Sequence, residues 1–558
     1  MERPWLRSYS KGVPADISFG ELTSISDCLE RSFKRFERQP AISCLDAMVT
    51  YGELALAVNR FASFLQYTLN IQKGDRIAIM LPNILQFPIA ELAALKIGAI
   101  CVNTNPLYTP REMRHQFIDS GVQSIVIVDL FVSKLEEIIS ETKITNVIVT
   151  SIGDQLPAWK GFLLKASMRF KKQIPGYSLK AWTFKEALAA GRKKAVVAPK
   201  LSLEDTAILQ YTGGTTGVSK GAMLSHRNIL SNMLQIQAIT KECLEQGHEV
   251  VLTALPLYHI FALSVNFLTF LADGQHIILV PKPTPIDNTT KLFKQYRITV
   301  MTGVNTLFNT LNNSSSFIAI APRSLKVVVA GGMALQDHVN KAFQIITGVP
   351  ITEGFGLTEC SPVTHVNPIH GTNPVGSIGL PLPSTFAKIV GDDGRTLLPG
   401  ETGELAVKGP QVMSGYWNRD DETRAMIRDG WLWTGDIARM DERGYFYIVD
   451  RKKDMVLVSG FNVYPSEVEE VLCSHPQVLE AAVIGVPDKS SGEAVKAVIV
   501  LKPYTAGEEN TVDTMTQELR RHCKESLTGY KCPRHYEFRD ALPKSNVGKI
   551  LRRELRVT

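Results

Sequence analysis

Short apolar runs alternate with helical patterns over the first 330 residues of the chain, and this alternation limits the folds that it can adopt. Runs typical of strands lie at 76–81, 124–128 and 325–330, and helical patterns lie at 56–65 and 87–97. Strands that alternate with helices form parallel sheets covered by helices. The sequence therefore predicts an α/β protein, and a chain of 558 residues is long enough to need at least two domains.

A second pattern begins near Gly376, where glycines start to separate short runs of β type. Such runs at 403–409 and 444–449 predict a β-rich subdomain over about 376–449. A charged break follows at 450–454. Beyond it, the sequence predicts helices and strands of a small α+β unit at 466–473, 478–484, 495–501 and 512–523.

These patterns predict a large domain and a small one. The N-terminal domain should cover residues 1–450 and contain the parallel-sheet α/β subdomains and the β-rich subdomain. A small, mobile α+β C-terminal domain should cover 451–558, with a hinge at 450–454.

A glycine-rich stretch directly after the apolar run 206–210 predicts a phosphate-binding loop. Its glycines allow backbone N–H groups to approach an anion, and its hydroxyl groups and one ammonium group add further donors. Gly221 follows Lys220 where a Walker P-loop has Ser or Thr, so a P-loop kinase is a poor fit. The alternative to a binding loop is a mobile turn. The predicted polyphosphate site comprises Tyr211, Thr212, Gly213, Gly214, Thr215, Thr216, Gly217, Val218, Ser219, Lys220 and Gly221.

The cysteines and the N-terminus indicate a cytosolic protein. The eight cysteines are widely spaced, with no Cys-x-x-Cys pair and no Cys/His cluster at metal-ligand spacing. They are therefore expected to be reduced thiols. Residues 1–8 lack the apolar segment of a secretory signal.

The run from Val250 to Leu271 contains no Asp, Glu, Lys or Arg and is long enough, by count alone, to span a bilayer. Pro256 and His259 interrupt the run, and ordinary α/β sequence continues on both sides. We therefore predict a buried strand, a turn at Pro256 and a buried helix.

Residues 151–200 form the most basic part of the chain. Eleven Lys and Arg against two acidic residues give this segment a net charge of +9, whereas the whole chain carries +6. Apolar residues such as Trp159, Phe170, Trp182 and Phe184 interleave with the charges, which predicts a peripheral contact with an anionic inner-membrane surface. The alternative is a solvated loop with snorkelling lysines. No nucleic-acid recognition motif accompanies the segment, so nucleic acid is not an expected partner.

Four further motifs follow the phosphate loop, and together with it they resemble one superfamily. They begin with Glu-Gly-Phe-Gly-Leu-Thr-Glu at 353–359, Gly-Trp-Leu-Trp-Thr-Gly-Asp-Ile at 430–437 and the charged run that opens 450–467. The last, at 542–554, reads Leu-Pro-Lys-Ser-Asn-Val-Gly-Lys-Ile-Leu-Arg-Arg-Glu. In this order, over nearly the whole chain, they resemble the adenylate-forming superfamily of acyl-CoA synthetases, luciferases and adenylation domains. Gly-Tyr-Lys at 529–531 is most similar to bacterial long-chain fatty acid CoA ligases of the beta-oxidation type.

The resemblance implies a two-step reaction with ATP and coenzyme A as substrates. The carboxylate of a fatty acid attacks the α-phosphorus of ATP to give acyl-AMP and pyrophosphate, and the CoA thiolate then displaces AMP. Because two anions meet in the first step, positive charge is needed, and the resemblance assigns it to Lys549 and to Mg²⁺ on the phosphates. Taken alone, Lys549 could be a solvated residue of a basic C-terminal tail.

The resemblance also assigns roles to residues around the nucleotide. Thr358 would contact the α-phosphate, Glu359 would hold Mg²⁺ with a weaker contribution from Thr216, and His259 would lie between the acyl pocket and the phosphates. Thr358 and Glu359 could instead form a helix cap, and His259 could be a hydrogen-bonded core histidine. The remaining ATP- or AMP-binding residues implied by the resemblance are Gly332, Glu353, Gly354, Phe355, Gly356, Asp436 and Arg451, the last two at the ribose.

For the second step, the resemblance implies a separate set of residues in the C-terminal domain. Asp450 and Lys453 would belong to the hinge, and rotation about it would exchange the Lys549 face for the face that binds coenzyme A. The CoA-binding residues implied are Ser459, Gly460, Phe461, Tyr530 and Lys531.

The leading hypothesis is a cytoplasmic fatty acid CoA ligase, peripheral on the cytoplasmic face of the membrane, with a homodimer left open. The apolar run 254–271 favours an aliphatic acid, but chain length depends on the depth of the pocket. One alternative is another adenylate-forming enzyme: a medium-chain or aryl acid CoA ligase, or an acyl-AMP ligase. The other is a non-catalytic, membrane-associated acyl-binding protein.

Overall fold

A computed structural model describes residues 3–156, 158–171, 174–212, 219–369, 371, 373–459, 461–488, 491–502, 512–545 and 550–556. Two mostly parallel sheets with flanking helices are followed by an antiparallel sheet and by a smaller sheet with its own helices. This arrangement confirms the predicted α/β fold class. The domain boundary at 450 and the hinge at 450–454 stay predictions.

The first sheet carries the strand that leads into the predicted phosphate loop. In spatial order its strands are Gly415–Tyr416, Lys220–Ser225, Thr206–Thr212, Ile100–Asn103, Arg76–Met80, Ser124–Val128, Asn146–Thr150 and Trp182–Thr183. Neighbouring strands are parallel from Thr206–Thr212 onward, and the first two pair in antiparallel fashion. The strand predicted at 206–210 is confirmed and extends to Thr212.

The second sheet is also parallel through its centre. Its strands, in spatial order, are Leu380–Pro381, Val363–Val366, Thr352–Gly356, Val327–Ala330, Val300–Gly303, Val250–Thr253, His276–Leu279, Pro40–Cys44 and Ala47–Thr50. The strands from Thr352–Gly356 to Pro40–Cys44 are parallel, and the edge strands are antiparallel. The central strands of both sheets are therefore buried under helices, as the sequence predicts.

The β-rich sequence and the C-terminal sequence form separate sheets. The strands of the β-rich sheet are Phe386–Val390, Thr402–Lys408, Trp431–Met440, Ile427–Arg428 and Phe446–Arg451. Those of the C-terminal sheet are Phe461–Val463, Val456–Val458, Gly492–Leu501, Val478–Asp488 and His535–Phe538. The helices predicted at 466–473 and 512–523 are confirmed as Pro465–Cys473 and Val512–Ser526.

Helices begin where short polar side chains can cap them. Thr50, Thr109, Thr183 and Ser225 each accept a hydrogen bond from the backbone N–H three residues later, which satisfies a group left unpaired by the helix. The α-helices are Ile25–Arg35, Tyr51–Tyr67, Gln86–Lys96, Pro110–Ser120, Val132–Glu136, Ala158–Phe170, Phe184–Ala190, His226–Thr240, Phe270–Ala272, Asp287–Gln295, Asn305–Asn312, Ser315–Ile320, Asp337–Thr347, Asp420–Met426, Pro465–Cys473, Val512–Ser526 and Arg552–Leu555. The 3-10 helices are Pro4–Ser8, Asp129–Phe131, Ile139–Glu141, Thr358–Cys360 and Gly529–Lys531.

The uncharged run that begins at Val250 forms a strand, Val250–Thr253, and a buried helix, Phe261–Thr269. The predicted order of strand, turn and helix is confirmed. The helix is a π-helix, which the sequence pattern did not indicate, and such segments are frequent at functional sites. Across the described ranges, no helix is both long and apolar enough to cross a membrane.

The largest apolar core packs helices against the first two sheets. Phe61 and Phe64 of the helix Tyr51–Tyr67 are fully buried in it, and Leu257 and Phe267 bring the uncharged run into the same core. All eight cysteines lie in described segments and are free thiols, four of them buried. That the cysteines are reduced in the cell stays a prediction.

The basic segment divides into an exposed helix and a part that belongs to the core. Trp159, Leu163 and Phe170 share one face of the helix Ala158–Phe170 and are 63%, 57% and 91% exposed. Phe184 is fully buried, and its ring stacks on that of Phe61 with centroids 4.7 Å apart. The interpretation of Phe184 as a membrane-facing residue is therefore wrong, because this side chain already packs between the helix Tyr51–Tyr67 and the first sheet.

Replacing Phe184 by alanine should destabilise the protein much more than replacing Phe170 by alanine. We expect Phe184→Ala to lower the free energy of unfolding by about 3–5 kcal/mol, because it leaves a cavity in the core. The matched change Phe170→Ala removes an exposed ring and should shift the free energy by less than about 0.5 kcal/mol. Denaturant unfolding measures both values, and similar effects of the two changes would contradict this assignment.

Candidate active site

The carboxyl ends of both parallel sheets open into one large cleft. Its volume is about 1790 Å³, and residues of both sheets, the β-rich sheet and the C-terminal unit line it. Ligands of open α/β sheets bind beyond the carboxyl ends of the strands, where loops and helix termini converge. This cleft is therefore the candidate active site.

One wall of the cleft contains the described ends of the predicted phosphate loop. Thr212 and Lys220 line the cleft. Burial lowers the pKa of Lys220, and the carboxylate of Glu359 acts against that shift. The predicted residues between them, Gly213, Gly214, Thr215, Thr216, Gly217 and Val218, lie outside the described part of the chain.

Three described residues of the predicted loop do not line the cleft. The hydroxyl of Tyr211 donates to Oδ2 of Asp119 at 2.6 Å, so this side chain points into the sheet packing. The carbonyl of Ser219 lies 2.9 Å from Nε2 of His115. A side chain at Gly221 would come within 3.1 Å of the ring of Tyr211. The roles of these three residues at a ligand stay predictions.

Glu359 lies in the short turn Thr358–Cys360, which directly follows the strand Thr352–Gly356. Thr358 and Glu359 both line the cleft, and the hydroxyl of Tyr416 donates to Oε1 of Glu359 at 2.6 Å. The predicted pair is thus placed beside the phosphate loop. Tyr416 carries no recognisable motif, and sequence reasoning missed it.

Lys220 has two neighbours that sequence reasoning also missed. Its Nζ contacts the carboxylate of Glu422 and lies 5.4 Å from the centre of the Tyr416 ring. Glu422 belongs to the helix Asp420–Met426, which the alternation pattern did not predict. Lys220 therefore forms an ion pair with Glu422.

Glycines bring the backbone close to the cleft on the opposite wall. Gly332 has a φ of +79°, which favours glycine, and it lines the cleft together with Gly354, Phe355 and Gly356. A Cβ atom at Gly356 would lie only 2.0 Å from the carbonyl oxygen of Pro362. This wall can accept a flat group against the backbone.

Glu353 is half-buried beside the same wall. Its Oε1 accepts a hydrogen bond from the backbone N–H of Leu335 at 3.1 Å. Burial raises the pKa of Glu353 to about 7, with the bond from Leu335 acting in the other direction. Glu353 is therefore partly protonated near neutral pH.

Asp436 and Arg451 form an ion pair within the cleft. They face each other across the antiparallel strands Trp431–Met440 and Phe446–Arg451, and Nε of Arg451 lies 2.6 Å from Oδ1 of Asp436. The Asp436 carboxylate is buried. An ionised carboxylate in this position is a strong acceptor for hydroxyl groups of a ligand.

His259 lines the cleft just before the π-helix Phe261–Thr269. Its ring lies 4.8 Å from that of Tyr258. Burial lowers the pKa of His259 to about 4, so its imidazole is neutral at pH 7.

An apolar branch extends from the cleft below the strand ends. It follows the strand Val327–Ala330 back from Gly331 to Val327, a length of about 13 Å at the rise of a β-strand. Sequence reasoning pointed to the run 254–271 but missed most of these residues, because they come from several distant elements. The apolar branch is lined by Ile236, Ile239, Val265, Phe270, Val300, Val327, Val363, Val366 and Ile369.

The predicted hinge and the segment after Lys549 both contribute to the cleft. Asp450 and Lys453 line the cleft, and so do Ile550 and Arg552. Lys549 itself lies outside the described residues, directly before Ile550. Ile550, the described residue that follows Lys549 in the sequence, therefore lies at the cleft.

Of the residues predicted to bind coenzyme A, Phe461 and Tyr530 contact each other. The rings of Phe461 and Tyr530 stack with centroids 4.9 Å apart, and neither residue lines the cleft in the described structure. Nζ of Lys531 lies 2.7 Å from a carboxylate oxygen of Glu467. Ser459 has a φ of +52°, and Gly460 lies outside the described residues.

Comparisons with known proteins agree with this geometry. A family profile described as AMP-binding enzyme matches residues 29–417, and its C-terminal domain profile matches 467–549. The chain is 49% identical to the long-chain-fatty-acid–CoA ligase of Yersinia pestis over 100% of this chain and 98% of that protein. It is 40% identical to the ligase of the same description from Bacillus subtilis, over 99% and 98%.

Solved structures show the same fold. The anthranilate CoA ligase AuaEII in complex with anthranoyl-AMP has a TM-score of 0.85 at 26% identity, covering 97% of this chain and 98% of that one. ATP-bound MatB from Rhodopseudomonas palustris has a TM-score of 0.82 at 28% identity, covering 96% and 99%. These similarities extend over the sheets that form the cleft and over the C-terminal unit.

The raised pKa of Glu353 predicts a dependence of stability on pH. Because this carboxyl group is harder to ionise in the folded state than in the unfolded state, its protonated form favours folding. Its contribution to the free energy of unfolding is fully present below the unfolded pKa and is lost as the pH rises through 7. Glu353→Gln should remove this loss, which is at most about 3 kcal/mol, between pH 4.5 and pH 7.5. Thermal melting across this range measures the change in stability.

Glu91 is buried, with a pKa of about 7, and provides the comparison variant Glu91→Gln. An unchanged pH profile for Glu353→Gln would contradict the assignment.

Proposed function

The chain belongs to the family of AMP-binding enzymes, and from this we propose that it joins a long-chain fatty acid to coenzyme A at the expense of ATP. The reaction passes through an acyl-AMP intermediate and releases AMP and pyrophosphate. The relatives at 49% and 40% identity, which share the full length of this chain, are named as ligases of this kind.

The observation that carries the proposal is the junction of two chemically different spaces. The polar part of the cleft, with Lys220, Glu359 and Asp436, meets the apolar branch near Phe261 and Gly331. A fatty acid has the matching division, because its chain can fill the apolar branch while its carboxylate faces the phosphates. His259 would lie between the two spaces, and its neutral imidazole would orient the carboxylate by hydrogen bonding without adding a charge.

The nucleotide would bind between the glycine wall and the ion pair. Gly354 and Phe355 would lie against the adenine, and Asp436 would accept hydrogen bonds from both ribose hydroxyls, with Arg451 holding the carboxylate in place. Thr358 would contact the α-phosphate, and the loop from Thr212 to Lys220 would surround the β- and γ-phosphates.

Magnesium fits the residues of this site. Among the described residues, no group of three or more His, Cys, Asp or Glu side chains could hold a metal ion without a ligand. Mg²⁺ is usually bound by one or two carboxylates together with substrate phosphates, and Glu359 supplies such a carboxylate. When bound, the ion neutralises charge on the phosphates.

Lys549 is the residue that we propose for the first step. Ile550 and Arg552, which follow it in the sequence, line the cleft, and this supports the assignment. Its ammonium group would stabilise the negative charge that develops between the carboxylate and the α-phosphate. In the second step, after rotation at 450–454, Ser459, Gly460, Phe461, Tyr530 and Lys531 would guide coenzyme A to the acyl-AMP.

A series of straight-chain acids from short to long, together with an aromatic acid, tests the proposal. Pyrophosphate release and acyl-CoA formation are measured in parallel for each acid. Long-chain acids should give both products with the highest kcat/KM. Preference for the aromatic acid would favour an aryl acid CoA ligase, pyrophosphate without acyl-CoA would favour an acyl-AMP ligase, and the absence of pyrophosphate would favour a binding protein.

Lys549→Ala should impair adenylate formation far more than thioester formation from supplied acyl-AMP. The expected loss in the first step is about 10²- to 10³-fold, the scale for removing one preorganised electrostatic donor. Lys544→Ala is the control, because Lys544 belongs to the same segment and contacts Glu480 at the surface. Equal losses in both half-reactions would contradict the assigned role.

We further propose that the enzyme is cytoplasmic and binds anionic membranes through the helix Ala158–Phe170. This helix presents Trp159, Leu163 and Phe170 to solvent within the segment of net charge +9. Exposed aromatic residues can enter the headgroup region while basic residues attract anionic lipids. A sparingly soluble acid would then be taken up directly from the membrane.

Replacing Lys165, Arg169, Lys171 and Lys172 together with Gln should release the protein from anionic vesicles and leave turnover of a short, soluble acid unchanged. Each basic residue near the surface contributes about 1 kcal/mol. The control replaces the exposed residues Lys34, Arg38, Lys282 and Lys291 with Gln, which changes the net charge equally elsewhere. Vesicle co-sedimentation at low and high salt measures binding, and equal release by both variants would contradict a specific membrane-binding helix.

A further inference from the structure

Tyr416 lies where a segment of chain connects the two parallel sheets. Its strand, Gly415–Tyr416, extends the first sheet by pairing with Lys220–Ser225, so that Tyr416 lies opposite Ala222. Just before it, the backbone N–H of Met413 donates to the carbonyl of Glu359 at 2.7 Å, in the second sheet's terminal turn. Backbone hydrogen bonds therefore place Tyr416 between the end of the predicted phosphate loop and Glu359, the last residue of the motif at 353–359.

The side chain of Tyr416 touches a charged group on each side. Its hydroxyl donates to Oε1 of Glu359 at 2.6 Å, and the ammonium group of Lys220 lies 5.4 Å from the centre of its ring. The hydrogen bond uses one oxygen of Glu359. The ring contact is a cation–π interaction, which restrains the ammonium group without neutralising it.

The backbone around Tyr416 is also held firmly. Its N–H donates to Oγ1 of Thr423 at 2.9 Å, and its carbonyl accepts a hydrogen bond from the N–H of Arg419 at 3.2 Å. Thr423 follows Glu422, whose carboxylate contacts Lys220. Phosphate oxygens would compete with Glu422 for Lys220, whereas the contacts of Tyr416 can persist when a nucleotide binds.

We propose that Tyr416 is a positioning residue of the phosphate site: it fixes the Glu359 carboxylate for Mg²⁺ and holds Lys220 for the phosphates. This inference rests on the proposed function, since both groups act in adenylate formation. Residues that orient a metal-binding carboxylate commonly change metal affinity or activity by about 10- to 100-fold when they are removed.

Two substitutions separate the roles of the hydroxyl and the ring. Tyr416→Phe keeps the ring beside Lys220 but removes the donor to Glu359, and Tyr416→Leu removes both. Tyr51→Phe is the matched control, because the buried hydroxyl of Tyr51 donates to the carbonyls of Leu271 and Gln275 and does not line the cleft in the described structure. Thermal melting confirms that each variant is folded.

Binding of Mn²⁺, used as a spectroscopic substitute for Mg²⁺, is measured by electron paramagnetic resonance with ATP present and fatty acid absent. We expect Tyr416→Phe to weaken Mn²⁺ binding about tenfold or more, with wild-type affinity for ATP in EDTA. Tyr416→Leu should weaken both. In pyrophosphate exchange, Tyr416→Phe should raise the Mg²⁺ concentration for half-maximal rate and leave the KM of the fatty acid unchanged.

Wild-type Mn²⁺ affinity in Tyr416→Phe would overturn the inference, and so would an equal loss in Tyr51→Phe, which would reduce the effect to general stability. The proposed function is judged separately, by whether the wild-type protein binds Mn²⁺ with ATP and releases pyrophosphate. If it does both and Tyr416→Phe behaves as wild type, only the role of Tyr416 fails.

Discussion

Two parallel sheets point their carboxyl ends toward one cleft, and the strand Gly415–Tyr416 ties the end of one sheet to the terminal turn of the other. Parallel strands place all their following loops on the same edge, so residues that are far apart in the sequence meet there. The second sheet contributes the glycine wall and Glu359, and the first contributes Lys220. The distance between these groups is therefore set by how the sheets are joined, and a small shift of either sheet would change the charge arrangement of the whole site.

Much of this could be read from the sequence because the relevant patterns are local. The strand before the phosphate loop depends on a few neighbouring residues whose chemistry limits what they can do. The same is true of the C-terminal helices, whose apolar spacing is regular. In these segments, local preference and tertiary environment agree, so the pattern alone is informative. The glycine wall, Asp436 and Arg451 are implied by the resemblance, whereas the ion pair between the last two is seen only in the structure.

The remaining features depend on contacts between distant segments. Tyr416 contacts Glu359 and Lys220 only because the two sheets bring these residues together. The apolar branch is likewise assembled from several elements between Ile236 and Ile369. Phe184 has the composition of an interfacial residue but stacks on Phe61, because the following helix packs under the first sheet. The π-helix Phe261–Thr269 is equally non-local, since its apolar sequence fits several helical forms and its packing selects one.

The position of the C-terminal unit supports a rotation during the reaction. Ile550 and Arg552 line the cleft, and Nη2 of Arg552 lies 2.7 Å from Oε2 of Glu469. Phe461, however, is 57% exposed and stacks on Tyr530 outside the cleft. In the proposed second step, rotation of the C-terminal unit would bring these aromatic residues to the cleft in place of Ile550 and Arg552. The predicted hinge for this rotation is 450–454, and Asp450 and Lys453 line the cleft. The backbone rotations that exchange the two surfaces would therefore occur beside the reacting groups.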